Sequence, residues 1–415
     1  MKRIICLLLM LSLLLCACGG QKTEPAPDTE PTTAPAQTVT TGSEPTEPSE
    51  TLPTQSVPSE PQVTEPSSSE PETSEPETSE PPFSFPEVED TEPIIPPETE
   101  PTGPAPVIPT DYINPLTGEY LEAPYQNRPF AVVMDNDNDQ AMPHWGMSAA
   151  DILWEMPHEG NTTRFLGMFT DVSDVARLGP TRSARPYLLN LAMGYDAIFV
   201  HAGHSEQAKI DLAQTGWDHI DGVKGEYSYF RRDKSRVEAG IDSWHTMYIT
   251  GSKLLQAVKD RDLTTSRGQT VDYGMTFAAD GTPVGESAES INIRFKKGGK
   301  KTDLWYDADL GVYMAKQWGQ TLSDSNNGQT LTFENVLILE ADVGTISDYG
   351  SLSVDLVGSG DGYFACGGAY VAIRWSRAST NVPFTFTLTD GTPLTFGVGN
   401  TYAAVVMTGS PVSFS

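Results

Sequence analysis

Three hydrophobic patterns follow one another along the chain. An apolar run at 4–15 is followed by a stretch from Gln21 to about Pro106 with almost no large apolar residues. From about Asp111 apolar segments return, alternating between extended and helical period. Positions 129–134, 152–156, 163–169 and 197–200 read as strands, and 184–193 reads as a helix. A second helix is predicted over 251–259, where Leu254, Leu255 and Val258 share a face after the start signal Thr250-Gly251-Ser252. Beyond about Glu286 the period changes to short alternating strands at 291–295, 304–306, 311–315, 330–339, 353–356, 370–375, 383–388 and 402–407. Turns such as Asp280-Gly281, Asn327-Gly328, Asp361-Gly362 and Asp390-Gly391 punctuate them. The expectation is an α+β chain: a mixed α/β first domain at 109–262, then a β-rich second domain at 286–415 built as a sandwich or a partly open barrel.

The polar stretch and the first apolar run set location rather than fold. Lys2 and Arg3, the apolar run and the small residues after it form a secretory signal at 1–17, and the run is shorter than the roughly 20 residues a membrane-crossing helix needs. Leu15-Cys16-Ala17-Cys18 resembles the bacterial lipobox. That likeness implies that Cys18 becomes the lipidated, palmitate-bearing start of the mature chain, held on the outer face of the cell membrane. Residues 18–108 are rich in Pro, Glu, Ser and Thr and cannot bury enough surface to offset their ordering entropy, so a disordered tether is expected. Its reach lies between roughly 50 Å as a coil and roughly 280 Å as extended polyproline II.

Charge and cysteine narrow the chemistry. The net charge is −30, and the tether, with 19 acidic residues against Lys22, carries most of it. Residues 109–415 hold 37 acidic and 23 basic side chains, which disfavours a nucleic-acid partner because that needs a basic footprint. Once the leader is removed and Cys18 lipidated, Cys366 is the one cysteine left, so no disulfide staples the folded part. In Phe364-Ala365-Cys366-Gly367 it reads as a small buried hydrophobe.

Between Asp135 and Ser205 many charged and hydroxyl side chains stand just after predicted strands, where α/β proteins tend to bind ligands. Asp135-Asn136, Glu159-Gly160, Thr163-Arg164, the run Gly179-Pro180-Thr181-Arg182-Ser183-Ala184-Arg185-Pro186 and His201-Ala202-Gly203-His204-Ser205 are the segments concerned. Together with Asn114-Pro115-Leu116-Thr117-Gly118, Ala150-Asp151-Ile152, His245-Thr246-Met247-Tyr248, Gly358-Ser359-Gly360 and Ile373-Arg374-Trp375, they make residues 111–410 resemble the YerB-like lipoprotein family. Its two halves are domains of unknown function, so the resemblance implies a lipoprotein architecture and supplies no catalytic residues. This chain departs from the family pattern at His204, at Asn161 and at an insertion over 239–242 before His245.

The ligand-binding candidates are Asp135, Asn136, Glu159, Arg164, Arg182, Ser183, Arg185 and His201. With Ser183 capping the helix, the N–H groups of Ala184 and Arg185 would join Arg182, Arg185 and Arg164 in an anion cradle. The alternative is that these arginines pair internally with Asp135, Asp151, Glu155 or Glu159. A catalytic reading would combine His201 with Ser183 or Ser205, or Glu159 with Asp135. A distant fold-level likeness to the LytR-CpsA-Psr envelope phosphotransferases would need a Mg²⁺ site on Asp135, Asp137 and Asp139, for which a solvated turn is the simpler reading. His201, His204 and Glu206 lack a zinc signature, so neither metal nor cofactor is expected, and His144, His158 and His219 read as surface or loop residues. Trp305, Tyr306, Tyr313, Trp318, Tyr363 and Trp375 read mainly as packing residues, and an exposed Trp in a groove would mark a glycan site instead. The function expected is binding of an anionic wall component or an envelope protein, with an envelope-remodelling enzyme using Glu159, His201 and Asp135 as the alternative.

Overall fold

The structure, a computed structural model, describes residues 112–225, 227–346 and 350–415. The leader at 1–17, Cys18 and the tether at 18–108 lie outside the described residues.

The first half contributes strands β1 (Phe130–Met134), β2 (Ile152–Pro157), β3 (Thr163–Phe169), β4 (Ile198–His201) and β5 (His219–Asp221). Its helices include α1 (Pro186–Gly194), α2 (Glu206–Thr215), α3 (Lys234–Glu238) and α4 (Gly251–Asp260). The second half is almost wholly strand, and the class is α+β. An eleven-stranded mixed sheet runs through both halves in the order Thr385–Leu388, Ala369–Arg377, Gly358–Cys366, Asn335–Ala341, Thr401–Met407, β2, β3, β1, β4, β5, with Glu286–Ser287 on Ala369–Arg377. The join is made by Thr401–Met407, which lies parallel to β2 on one side and to Asn335–Ala341 on the other. A change of hydrophobic period near residue 286 therefore marks a boundary in sequence that the sheet crosses.

Period-2 alternation sends the central strands' side chains into two cores. Ala131, Val133, Ile152, Trp154, Leu166, Phe199, Ala403 and Val405 face a core closed by Leu188, Leu189 and Ala192 of α1 and Leu212 of α2. Phe130, Val132, Met134, Leu153, Phe165, Val200, Tyr402 and Val406 face the other. That second core is closed by a six-stranded sheet containing Ser290–Arg294, Lys301–Asp307, Val312–Gln317 and Val412–Phe414, and by Leu254 and Val258 of α4. The central strands are buried on both faces, which is why they are nearly continuous in apolar residues.

Several expectations shift. Ser183 does not cap α1: Arg185 is the N-cap and Pro186 opens the helix, because Ala184 is drawn into a bridge with His204 and donates its N–H to the Gly203 carbonyl at 2.9 Å. Leu255 is 38% exposed although Leu254 and Val258 are buried, so the α4 stripe is narrower than its apolar residues suggest. The α2 helix escaped the apolar pattern because only Ala208 and Leu212 are buried, yet its limits are written in Ser205, whose hydroxyl accepts from the Ala208 N–H, and in Gly216. Gly358–Cys366 has a glycine-rich start that reads as a turn, and it becomes strand because Asn335–Ala341 and Ala369–Arg377 pair with it on both sides.

With one sheet shared by both halves, heat should unfold residues 112–415 in a single cooperative transition. Calorimetry on the full chain checks this, and two resolved transitions would show that the halves fold apart. A chain ending at Gly399 lacks the joining strand and should give no cooperative transition.

Candidate functional site

The end of β1 delivers Asp135, Asn136 and Asp137, and the 179–185 segment runs beside it. The Asp135 N–H donates to the Pro180 carbonyl at 2.8 Å and the Arg182 N–H to the Val133 carbonyl at 3.1 Å. Two buried polar networks result, separated by the alternation of the strand.

The first holds the arginines. Asp137 pairs with Arg182 and, at 3.4 Å, with Arg164. Asp135 is fully buried, lies 3.3 Å from Arg182 Nε, and takes a short hydrogen bond from His245 Nδ1. Its carbonyl receives His144 Nε2 at 2.6 Å. Arg185 Nε reaches both oxygens of Glu159 at 3.0 and 3.1 Å, and Glu159 also meets His158 Nδ1 at 2.5 Å. Arg164, 1% exposed, donates to the Ser183 carbonyl at 3.0 Å. Burial opposes the charged form of Asp137, but Arg164, Arg182 and His158 outweigh it and hold the carboxyl down to about 2. Burial likewise works against ionised Glu159, and His158 and Arg185 outweigh it, leaving that carboxyl well below the usual range. Burial pushes His144 and His158 down to about 4.

The second network centres on Glu155, which is fully buried on β2. Its carboxylate accepts from Asn136 Nδ2 at 3.1 Å, Thr163 Oγ1 at 2.6 Å, Thr302 Oγ1 at 3.0 Å, Gln317 Nε2 at 2.7 Å and Tyr402 OH at 2.6 Å, and it pairs with Lys300. Burial brings Lys300 down to about 8 against the pull of Glu155.

The candidates therefore divide. Asp135, Glu159, Arg164, Arg182 and Arg185 come together, but as mutual partners; the arginines are not held out as an anion cradle. Asn136 belongs to the Glu155 network, and the Ser183 hydroxyl donates to the Ala202 carbonyl at 3.1 Å. His201 stands elsewhere, bonded to the Gly203 carbonyl at 2.8 Å and to His219 Nδ1 at 3.0 Å with the rings stacked, and burial pushes it down to about 4. It therefore meets neither the Ser183 hydroxyl nor Glu159. Asp135 and Asn136 are 0% exposed, so they do not form a solvated turn: salt bridges and hydrogen bonds replace the water. Asp139 sits apart in a 3-10 turn and Glu206 is on the solvent side of α2, paired with Lys209. Among the described residues no cluster of three or more His, Cys, Asp or Glu is arranged to hold a metal ion. His144 and His158 are buried, unlike surface residues, because each has a hydrogen-bonding role inside the first network.

Asp137 also lines an open cleft of about 470 Å³ with Lys300, Lys301, Asp303, Lys316 and Trp318. Along Lys301–Asp307 the side chains of Thr302 and Leu304 point inward, so Lys301 and Asp303 share the outer face, with Lys316 directly across from Asp303. Of the aromatic candidates, Tyr313 and Trp375 are core residues, whereas Trp318 is 39% exposed on the cleft. The residues that the sequence reading did not single out as site candidates were these lysines, Asp303 and His245, while Asp137 entered it only in the Mg²⁺ alternative. The signal for them was Lys300-Lys301 and a Trp-Gly pair at a hairpin turn where Asn-Gly would be ordinary.

Residues 116–264 match the family model described as the N-terminal domain of a protein of unknown function (DUF3048), and residues 291–403 match its C-terminal domain. The curated protein "Putative lipoprotein YerB" of Bacillus subtilis (strain 168) is 30% identical over 298 residues, covering 70% of this chain and 85% of that one. This chain belongs to the YerB family. The crystal structure of YerB from Bacillus subtilis superposes with a TM-score of 0.63 at 26% identity, over 72% of this chain and 99% of that one. The residues of both networks lie inside the two stretches, 116–264 and 291–403, that the family models match.

Two outcomes follow from the networks. Glu155→Ala should cost about 3–5 kcal/mol, because it strands the Lys300 ammonium in the interior; urea unfolding checks this, and Glu155→Gln should cost less. Buried His144, His158 and His201 have folded values below the ordinary ~6.5, so the unfolded chain binds their protons first. Their stabilisation is complete above pH ~6.5 and is lost as pH falls toward 4, with Asp137 following between about 4 and 2. Burial raises Asp151 to about 6, which opposes this trend in part. The melting temperature should fall between pH 6.5 and 4.5; a flat profile there would overturn the assignment of three buried neutral imidazoles.

Proposed function

We propose that this protein is anchored through lipidated Cys18 to the outer face of a bacterial cell membrane and binds an anionic component of the envelope without chemistry of its own. The observation that carries the reading is the cleft beside Asp137. It gathers Lys300, Lys301 and Lys316 in a folded region that is otherwise acidic, with 37 acidic against 23 basic side chains. Asp137 is held by Arg164 and Arg182, Glu155 holds Lys300 and Asp303 pairs with Lys301, so Lys316 is the cleft ammonium left without an ion-pair partner among the described residues. The binding surface moves accordingly from the 182–185 loop to the cleft, and the arginines act on it indirectly by fixing Asp137. A protein partner bearing an acidic segment would meet the same lysines.

The enzymatic alternative has one feature in its favour, the Asp135–His245 pair, since a carboxylate on Nδ1 is how an imidazole base is commonly oriented. Against it, His245 is 1% exposed and its Nε2 faces Asn138 Nδ2 at 3.5 Å, so no substrate reaches it. Glu159, Asp135 and His201 likewise have internal partners, and His201 stands apart from the other two.

Isothermal titration of the full chain in detergent micelles with poly(glycerol phosphate) tests the binding reading. Wild type should bind with an affinity that drops as salt rises. The double charge reversal Lys301→Glu with Lys316→Glu should abolish the heat, and equal binding by the variant would remove the cleft from consideration. Separately, Cys18→Ala should move the protein from the membrane fraction to the medium on cell fractionation, and unchanged retention would defeat the anchor assignment.

A further inference from the structure

The hairpin joining Val312–Gln317 to Gln320–Thr321 has the two-residue loop Trp318-Gly319, with Gln317 opposite Gln320. Both loop residues have positive φ, +45° at Trp318 and +79° at Gly319. A turn of this kind is ordinarily served by Asn-Gly or Asp-Gly, since a bulky side chain is strained in the left-handed region. At Asn327-Gly328 and Asp390-Gly391 the glycine alone takes positive φ, so the residue before it carries no such strain. At Trp318 the chain instead carries the largest side chain at the strained position, with 39% of the residue left exposed on the cleft. The indole stands over Lys300 Nζ at 4.6 Å, the same ammonium that Glu155 holds from beneath. Turn strain and exposed aromatic area are both unfavourable for folding alone, and residues held in sparsely populated conformations concentrate at ligand sites.

The rest of the lining supplies what an aromatic platform lacks. Lys301 and Asp303 pair at 2.8 Å on one face of their strand, and Lys316 stands across from Asp303 with no ion-pair partner among the described residues. The Oδ1 atom of Asp303 has no hydrogen-bond donor. The cleft thus offers an exposed aromatic face, an unpaired ammonium, and carboxylate acceptors at Asp303 and Asp137. Aromatic faces stack on the C–H face of a sugar ring, carboxylates accept from its hydroxyls, and an ammonium takes an appended anion. The volume, about 470 Å³, lies within the roughly 300–1,000 Å³ of small-ligand pockets.

We propose that the cleft between Trp318, Lys316, Asp303 and Asp137 binds an anionic saccharide, with one sugar ring stacked on the Trp318 indole and its carboxylate or phosphate on Lys316 and Lys301. The inference rests on the binding reading above and gives it a ligand class.

The test uses the full chain in detergent micelles and follows tryptophan fluorescence and heat on titration with tri-galacturonic acid. Its methyl-esterified, uncharged form and inorganic phosphate serve as controls. Wild type should bind the charged trisaccharide at least about tenfold more tightly than either control. Trp318→Asn places a residue suited to the turn, so it should match or exceed the wild-type melting temperature while weakening the trisaccharide by about tenfold or more. Lys316→Gln should weaken the charged trisaccharide and leave the ester unchanged. Undiminished trisaccharide binding by Trp318→Asn, or a variant that melts early yet binds normally, would make Trp318 a packing residue and overturn the proposal. If poly(glycerol phosphate) binds wild type and Trp318→Asn alike while the trisaccharide does not bind, the saccharide assignment falls and the general anion reading stands. If neither ligand binds wild type, both fall.

Discussion

Glu155 is a carboxylate with no access to water, and its charge is tolerated because six side chains converge on it from across the sequence. Thr163 comes from β3 beside it and Asn136 from just past the end of β1; Lys300 stands just before, and Thr302 and Gln317 within, the strands of the six-stranded sheet, and Tyr402 comes from the strand that joins the halves. An unpaired carboxylate in such a place would cost far more than any single contact returns, so each donor must be present in its place for the interior to close. The packing of the second sheet on the first is thereby given a register, since only one placement puts Lys300, Thr302 and Gln317 over the same two oxygens. Apolar packing alone would bring those faces together without fixing how far one slides along the other.

That register creates the cleft. Lys300 is drawn inward by Glu155, and its N–H meets the Asn161 carbonyl at 3.0 Å, so the strand that follows begins against the first half of the chain. The next outward positions, Lys301 and Asp303, then stand opposite Lys316 beside the exit of β1, where Asp137 is held by Arg164 and Arg182. Two buried networks of ion pairs and hydrogen bonds thus flank an open space lined by Lys301, Asp303, Lys316 and Trp318.

The same economy governs protonation. All six histidines fall into two groups, three around the β1 exit and three around Asp221, and neither group presents a freely solvated imidazole. Burial keeps His144, His158 and His201 neutral across the ordinary pH range, so the imidazoles serve as neutral hydrogen-bonding groups that orient carboxylates and carbonyls.

The sequence by itself determined what depends on local chemistry. Period-2 runs located β1 to β4 and most strands of the second half, Thr250 and the apolar stripe located α4, and the motifs at Asp135, Glu159, Arg182 and His201 placed the chain in its family. Glycine-rich Gly358–Cys366 and weakly amphipathic α2 were illegible by the same logic, since their stability comes from neighbours. Only the tertiary structure decided that the arginines are spoken for, that His201 stands apart from Asp135, and that one sheet crosses the boundary at 286. It also decided that Trp318, alone among the aromatic candidates singled out, faces a lysine-lined cleft while partly exposed. The physical reason is that a charge or an aromatic ring carries no record in sequence of its partner, because partners such as Glu155 and Lys300 lie 145 positions apart and meet only when the sheets pack.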